Sequence, residues 1–393
     1  MEIKKLDDLN VDGKKVLIRV DFNVPMDSQG QITDSSRIEA ALPTLKELLQ
    51  RNAALIIVSH LGRPDGKVVE SLSLRPLVAT LAQLLGKPVQ FAHDCVGPLV
   101  ADAVKELQPG EVLLLENLRF HPEEELNVAE FAASLASVAD AYVNDAFGTA
   151  HRAHASTEGV ARILPSAAGR LMEAEFNFLG KMMEAPKRPF TAIVGGAKVS
   201  TKIDVLENLI EKVDNLLIGG AMAFTFIKAQ GIDVAASKTE DDKLELARKI
   251  MVKAVDKGVT FMLPCDCVAA AAFDDKAPRG IYSMGEMPAG WMGLDVGPAT
   301  VKNFSEIISK SATILWNGPL GVFEMEPFAE GTKGIGQAIA ASNAESIVGG
   351  GDSVAAVHQF HLADQMTHIS TGGGASLEMI EGKLLPGIAV LLK

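Results

Sequence analysis

Three cysteines, Cys95, Cys265 and Cys267, are all that the 393 residues contain. They are too few and too scattered for a disulfide framework, and Cys265 and Cys267 have no His or Cys partners at metal-finger spacing. A reduced compartment is therefore expected, and the cytoplasm fits best. No apolar run approaches the roughly 20 residues that cross a bilayer, and MEIKKLDDLN lacks the apolar core of a signal peptide. No membrane association is expected. Positive charge is also scarce: the formal net charge is -13, with no basic patch to work against it, so no nucleic-acid partner is expected.

The usual fingerprints are missing as well. The chain has no G-x-x-x-x-G-K-[ST] loop, no protein-kinase catalytic-loop set, no G-x-G-x-x-G after a strand and no G-x-S-x-G nucleophile elbow. A nucleotide reading must therefore rest on other loops. The remaining composition, 48% hydrophobic and 22% charged, is that of a globular protein, and the length suggests two or three domains.

What is present is a recurring unit: a short apolar run, a polar or glycine-rich turn, then a helical pattern. AALIIVSHLGRP, VLLLENLRF, TAIVGGAKV, TILWNGPLGVFE and ESIVGGGDSV all have this form. Strands alternating with helices predict an α/β architecture of parallel sheets covered on both faces, with ligands at the carboxyl ends of strands. The halves differ in what those ends carry. Through Arg188 there are 10 arginines and 11 glycines; after it there are 2 arginines and 24 glycines. One half is suited to grip with side chains and the other with backbone. Between them, AAGRLMEAEFNFLGKMMEAPKRP has helical periodicity from about Ala167 to Glu184, closed by Pro186 and Pro189, which predicts a helix connecting two domains.

VLIRVDFNVP, from Val16 to Pro25, reads as a strand with Leu17, Arg19, Asp21 and Asn23 on one face. Arg37, His60, Arg63, Arg119, His151, Arg152 and His154 stand at comparable places after other apolar runs. Arginine forks match carboxylate and phosphate oxygens two at a time, so the set points to a small, multiply anionic ligand. Any one of these arginines alone is more often a surface ion pair than a ligand contact, and only the set is persuasive. Arg19, deepest in the strand, fits an internal pairing with a carboxylate.

In GGAKVSTK, Lys198 and Lys202 stand four apart, a spacing that predicts one face of a helix opened by the glycines. Like charges so placed cost roughly 0.2–0.5 kcal/mol unless an anion lies between them. Two solvated lysines remain the competing reading, but the preceding glycines favour anion binding by backbone N–H groups. VGGGDSVAAV and STGGGASLEM repeat the design. Asp352 suits a magnesium held mainly by substrate phosphates, although a helix N-cap is the default reading for it in isolation. LIGGAMAF, WMGLDVGPAT and NGPLGVFE offer narrow apolar walls for a planar base.

In order, VLIRVDFNVP, SHLGRP, NLRF, NDAFGTAHRAH, GGAKVSTKI, WMGLDVGPAT, NGPLGVFE, VGGGDS and STGGGASLE span essentially the whole chain, and with them the sequence resembles the phosphoglycerate kinase family. The resemblance implies two doubly wound parallel-sheet, Rossmann-like domains. Residues 1–170 would bind triose phosphate, 171–186 form a hinge helix, 187–379 bind nucleotide, and 380–393 pack back on the first domain. It implies reversible transfer of the acyl phosphate of 1,3-bisphosphoglycerate to Mg-ADP, giving 3-phosphoglycerate and ATP, by hinge closure and direct in-line transfer in a monomer.

By the same resemblance, Asp21, Asn23, Arg37, His60, Arg63, Arg119 and Arg152 hold the triose. Gly195, Ala197, Lys198 and Lys202 match nucleotide-phosphate positions. Gly219, Gly220, Gly293, Leu294, Asn317, Pro319, Val322 and Glu324 match the adenosine pocket. Gly350, Gly351, Asp352 and Ser353 match the turn for magnesium and phosphate, with Asp352 the metal ligand. Arg37, Lys202 and the amides of Gly372 and Gly373 would neutralise the phosphoryl group in transfer. Ala221 and Ser353 stand where many relatives have glycine and threonine. A nicotinamide-dependent oxidoreductase and a non-catalytic binder of a phosphorylated metabolite are the alternatives. The missing dinucleotide fingerprint argues against the first; Lys198, Lys202 and Asp352, forming a second phosphate site, argue against the other.

Overall fold

The computed structural model describes residues 2–27 and 29–393. The chain divides into two units, Met1–Asn177 with Leu384–Lys393, and Phe178–Lys383. The division falls inside the helix Arg170–Glu184.

The first unit holds six strands: β1 (Lys15–Arg19), β2 (Ala54–Val58), β3 (Val89–Phe91), β4 (Val112–Leu114), β5 (Ala141–Asn144) and β6 (Ser166–Ala168). They form a parallel sheet in the order β3-β4-β2-β1-β5-β6. Every residue of β2 is buried, because helices cover both faces and an alternating pattern would place polar groups in a core. The helix Ser36–Gln50 buries Ile38, Ala41, Leu45 and Leu48, a spacing of three and four that makes one apolar stripe. These residues pack with Val16, Ile18, Leu55 and Ile57 of the sheet.

Two expectations are corrected here. The strand from Val16 ends at Arg19, not near Pro25. Beyond it Val20 N still donates to Val58 O (3.1 Å), but Phe22 N donates to the Ser59 hydroxyl (2.8 Å), because β2 has ended. The alternation nonetheless persists: Val20, Phe22 and Val24 are buried and Asp21 and Asn23 half-buried, so both polar residues stand on the loop at the carboxyl end of β1.

The connecting helix starts at Arg170 rather than Ala167, because Ser166–Ala168 pairs with Tyr142–Asn144 as an edge strand. Gly169 separates the two elements. Asp145 Oδ1 accepts from Leu171 N (2.9 Å) and Met172 N (3.2 Å), satisfying donors of the helix's first turn from a different loop. A Cβ on Gly169 would fall 2.2 Å from that oxygen. Gly169→Ala is therefore expected to lower stability by about 1–3 kcal/mol, read as a shifted urea midpoint at unchanged slope. The carboxyl-terminal residues also belong to this unit: Lys4 N donates to Leu391 O (2.7 Å) and Gly387 N to Ala150 O (2.8 Å).

The second unit has β7 (Phe190–Val194), β8 (Asn215–Ile218), β9 (Thr260–Met262), β10 (Asp266–Ala270), β11 (Arg279–Ser283), β12 (Met292–Val296), β13 (Thr313–Asn317), β14 (Glu345–Gly349) and β15 (His368–Ile369). Six form a second parallel sheet, β15-β14-β13-β7-β8-β9. Its core gathers Ile193, Leu217, Phe304, Trp316 and Ile335. The other three form a small antiparallel sheet, β11-β10-β12, absent from the sequence reading. Within WMGLDVGPAT, Met292–Val296 pairs with β10, and Pro298 opens a helix to Ile308.

Candidate active site

In the first sheet the chain leaves β1 for β2 on one side and returns as β5 on the other, so the carboxyl ends of β1 and β5 flank a topological switch point where ligands bind in such folds. The loops there carry the charged set. Arg37, in the first turn of Ser36–Gln50, donates to Asp21 Oδ2 (2.6 Å). His60 Nδ1 lies 3.9 Å from Asp21 Oδ1. Asn23 Oδ1 accepts from Gly62 N (2.9 Å), and Gly62 O accepts from Arg119 Nη1 (2.8 Å), tying the loops after β1, β2 and β4 together. Arg119 Nε stands 3.1 Å from Glu125 Oε1. Arg152 is half-buried, with its Nε 3.3 Å from His151 Nε2. Arg63 is exposed on the turn after β2 and makes no hydrogen bond or ion pair among the described residues.

Among the described residues, Arg19 pairs directly with no carboxylate. Fully buried, it donates to Ser156 Oγ (2.9 Å) and Val20 O, and its Nη2 lies 3.1 Å from His60 Nδ1. Ser156 donates to the buried Glu124 through N (2.9 Å) and Oγ (2.5 Å), so a hydroxyl stands between guanidinium and carboxylate. Burial raises the Glu124 pKa, opposed by Arg19.

Burial, then the charges of Arg19, Arg119 and Arg37, hold His60 well below its usual pKa. Burial, Arg19, Arg119 and Arg152 hold His154 down to about 3. Both shifts favour the neutral ring, first because burial disfavours any charge there and then because these guanidinium groups oppose a further positive one. An anion would reverse that balance. The sign for stability follows. A histidine whose folded pKa is depressed leaves the unfolded chain binding more protons, so stability is intact above about pH 6.5 and is lost as pH falls towards about 3. His154→Gln is expected to flatten part of the fall in urea midpoint between pH 7 and pH 4.

In the second unit β7 and β13 are neighbours from which the chain departs to opposite sides, a second switch point. Their following loops touch: Gly195 N donates to Asn317 O (2.9 Å), and a Cβ on Gly195 would fall 2.1 Å from Pro319 O. Only glycine permits that approach. Asn317, fully buried, accepts from Lys202 Nζ and donates to Gly349 O (2.9 Å), linking the ends of β13 and β14 to Lys202. Burial lowers the Lys202 pKa, opposed by Asp352 and Glu381.

Lys198 and Lys202 do not share a helical face. Residues 195–202 form loop and turn, and the helix begins only at Ile203, because Ser200 is tied through N (3.0 Å) and Oγ (2.5 Å) to Glu240. Lys198 is exposed. Asp352 is not an N-cap: Gly350 occupies that position, and Asp352 stands exposed beside Gly351 in the first turn of Gly351–Gln359. Ser353 Oγ accepts from Gly318 N (2.5 Å). The Gly372 amide already donates to Ser370 Oγ (3.2 Å), and Gly373 precedes the helix Gly374–Ile380 with φ +50°.

A cavity of about 750 Å³ lies beside these loops, of the size that takes a small organic ligand. Ala197, Gly220, Gly293, Leu294, Pro319, Val322, Glu324 and Asp352 line it; Gly219 is buried behind Gly220 at the end of β8. Phe224, Lys238 and Phe273 also line it and were missed. Phe224 sits in the quoted GGAMAF, whereas Lys238 and Phe273 stand in loops without a local pattern.

A family model described as phosphoglycerate kinase matches residues 6–383. The chain belongs to the phosphoglycerate kinase family. Phosphoglycerate kinases of Gloeothece citriformis and Moorella thermoacetica are 56% and 55% identical to it, over 99% and 98% of this chain and 98% of each relative. Among solved structures, the phosphoglycerate kinase of Coxiella burnetii matches with a TM-score of 0.92 at 42% identity, covering 99% of both chains. That of Pyrococcus horikoshii matches with a TM-score of 0.84 at 34% identity, over 99% of this chain and 98% of its own. As a phosphoglycerate kinase the chain is a glycolytic transferase acting on small molecules, with ADP and ATP as co-substrate. No described helix is long and apolar enough to cross a membrane.

Proposed function

We propose that the cationic face of the first unit holds the triose phosphate and the cavity of the second holds the nucleotide, with the acyl phosphate of 1,3-bisphosphoglycerate passing in line to ADP. The observation that carries this reading is the guanidinium cluster at the first switch point, where Arg37 holds Asp21 and Arg119 holds the Gly62 carbonyl beside the buried His60. Asp21 and Asn23 take the hydroxyl and carboxyl end of the glycerate. His60, Arg63, Arg119 and Arg152 bind its phosphate.

On the other side, Gly195, Ala197, Lys198 and the Gly350–Ser353 turn approach the nucleotide phosphates, and the cavity receives the adenosine. Asp352 offers a single exposed carboxylate at the cavity, which fits Mg2+ held mostly by phosphate oxygens and water. The ion supplies neutralisation of phosphate charge. The attacking phosphate oxygen of ADP is already anionic, so no general base is needed; Arg37, Lys202 and the Gly373 amide would stabilise charge on the group in transfer. The Gly372 amide can join them only by leaving Ser370. With the ligands on separate units, closure about Arg170–Glu184 would bring donor to acceptor and expel water. We further propose a cytoplasmic monomer.

The test is turnover of 3-phosphoglycerate with ATP and Mg2+, followed as NADH loss through added glyceraldehyde-phosphate dehydrogenase. Turnover that requires all three is expected. Folded protein that binds both ligands without turnover would overturn the transfer mechanism, and Mg-independent turnover would overturn the role of Asp352.

A further inference from the structure

At the carboxyl ends of β3 and β4, three donors of different chemistry converge. Asp94 and Cys95 follow β3, and His121 follows the 3-10 turn Leu118–Phe120 after β4. The two segments meet because β3 and β4 are paired, and Ala92 N donates to Leu114 O (3.0 Å). One donor atom from each of the three residues lies within 4.8 Å of the others. His121 Nε2 is 2.7 Å from Asp94 Oδ1, whereas the Cys95 thiol, 1% exposed, has no hydrogen-bond partner among the described residues.

We propose that Asp94, Cys95 and His121 bind a single Zn2+ ion. A surface Asp–His ion pair accounts for two of these side chains, but leaves a buried sulfur facing them with nothing to bond. Sulfur, imidazole and carboxylate together form a borderline-soft donor set that suits zinc and disfavours magnesium, which takes oxygen ligands. Tetrahedral zinc needs donor separations of roughly 3.5 Å, so the ion opens the Asp94–His121 contact slightly and draws in the sulfur. The partial exposure of Asp94 (44%) and His121 (29%) leaves the fourth position to water. Binding releases the thiol proton to solvent. Because His121 lies two residues from Arg119, the ion also pins the turn that carries an arginine of the triose site.

Titration of the metal-free, reduced chain with Co2+ tests the site. One equivalent is expected to give a sulfur-to-cobalt charge-transfer band with tetrahedral d–d intensity, which Zn2+ then removes. Cys95→Ser should abolish the charge-transfer band, and His121→Gln should weaken Zn2+ binding by at least about tenfold. Cys265→Ser, which removes the exposed thiol, should leave the band unchanged. No band in the folded wild type, or a band that survives in Cys95→Ser and disappears in Cys265→Ser, overturns the proposal. If Cys95→Ser does not fold, Asp94→Asn decides: undiminished Zn2+ affinity there also overturns it.

Discussion

Arg37→Ala is expected to lower kcat by about a thousandfold, with less than about a tenfold rise in KM for either substrate. The expectation rests on where the side chain stands. Arg37 is 40% exposed at a helix start, and its one hydrogen-bond partner among the described residues is Asp21. It is therefore not buried in the framework that positions the other loops, as Arg19 and Arg119 are. In phosphoryl transfer, charge spreads over the equatorial oxygens only as the group moves, so a donor fork that meets it then lowers the barrier without tightening the ground state. Lysine keeps the charge but loses the fork, and Arg37→Lys should recover only part of the rate. Stability should fall by about 1–3 kcal/mol, since Arg37 is largely in solvent but the Asp21 carboxylate it would leave is only 13% exposed. Steady-state kinetics at saturating substrates decide: wild-type kcat with a raised KM would reduce Arg37 to a binding residue.

The parallel sheets were legible because β2 is an uninterrupted apolar run and β7 is apolar but for Thr191, both buried throughout, the one pattern that parallel strands impose and antiparallel ones rarely need. The antiparallel sheet was not. Its strands β10 and β12 meet through a register shift between Val268 and Ala269, and β11 is largely exposed, so no alternation marks the pairing, and the apolar run Cys267–Phe273 does not tell antiparallel from parallel. The start of the connecting helix was misplaced for a related reason. Ala167 and Ala168 suit a helix by propensity, but pairing with Val143 and Asn144 holds them in a strand.

At the site, residue type and position after a strand were enough to assemble Asp21, Asn23, Arg37, His60 and Arg119, because parallel topology sends every such loop to the same sheet edge. What local reasoning could not reach depends on contacts between distant segments. Glu240 unwinds the turn before Ile203, and Ser156 relays Arg19 to Glu124. His121 meets Cys95 only because β3 and β4 pair. Lys198 and Lys202, spaced as though on one helix, consequently have different surroundings, and that difference separates their expected effects.

Lys202→Ala is expected to lower kcat by about a thousandfold, whereas Lys198→Ala should chiefly raise the KM for nucleotide. Lys198 is exposed and its side chain makes no hydrogen bond or ion pair among the described residues, so it would meet phosphate as a mobile point charge and contribute mainly to binding. Lys202 is held by Asn317, whose other side-chain group is fixed on Gly349 O, so its ammonium is pre-positioned between the loops after β7 and β13. Burial lowers its pKa, and the nearby Asp352 carboxylate works the other way; bound phosphate would add to that second effect and keep the amine charged. Removing it leaves Asn317 without a donor and costs about 1–3 kcal/mol of stability, so the variant must be assayed where denaturation curves show it folded. Lys202→Arg keeps the charge but cannot seat a planar fork on the single Asn317 oxygen, and should restore little of the rate. If Lys202→Ala and Lys198→Ala instead raise KM alike and leave kcat intact, both lysines act in ground-state binding, and the barrier is lowered by Arg37 and backbone amides alone.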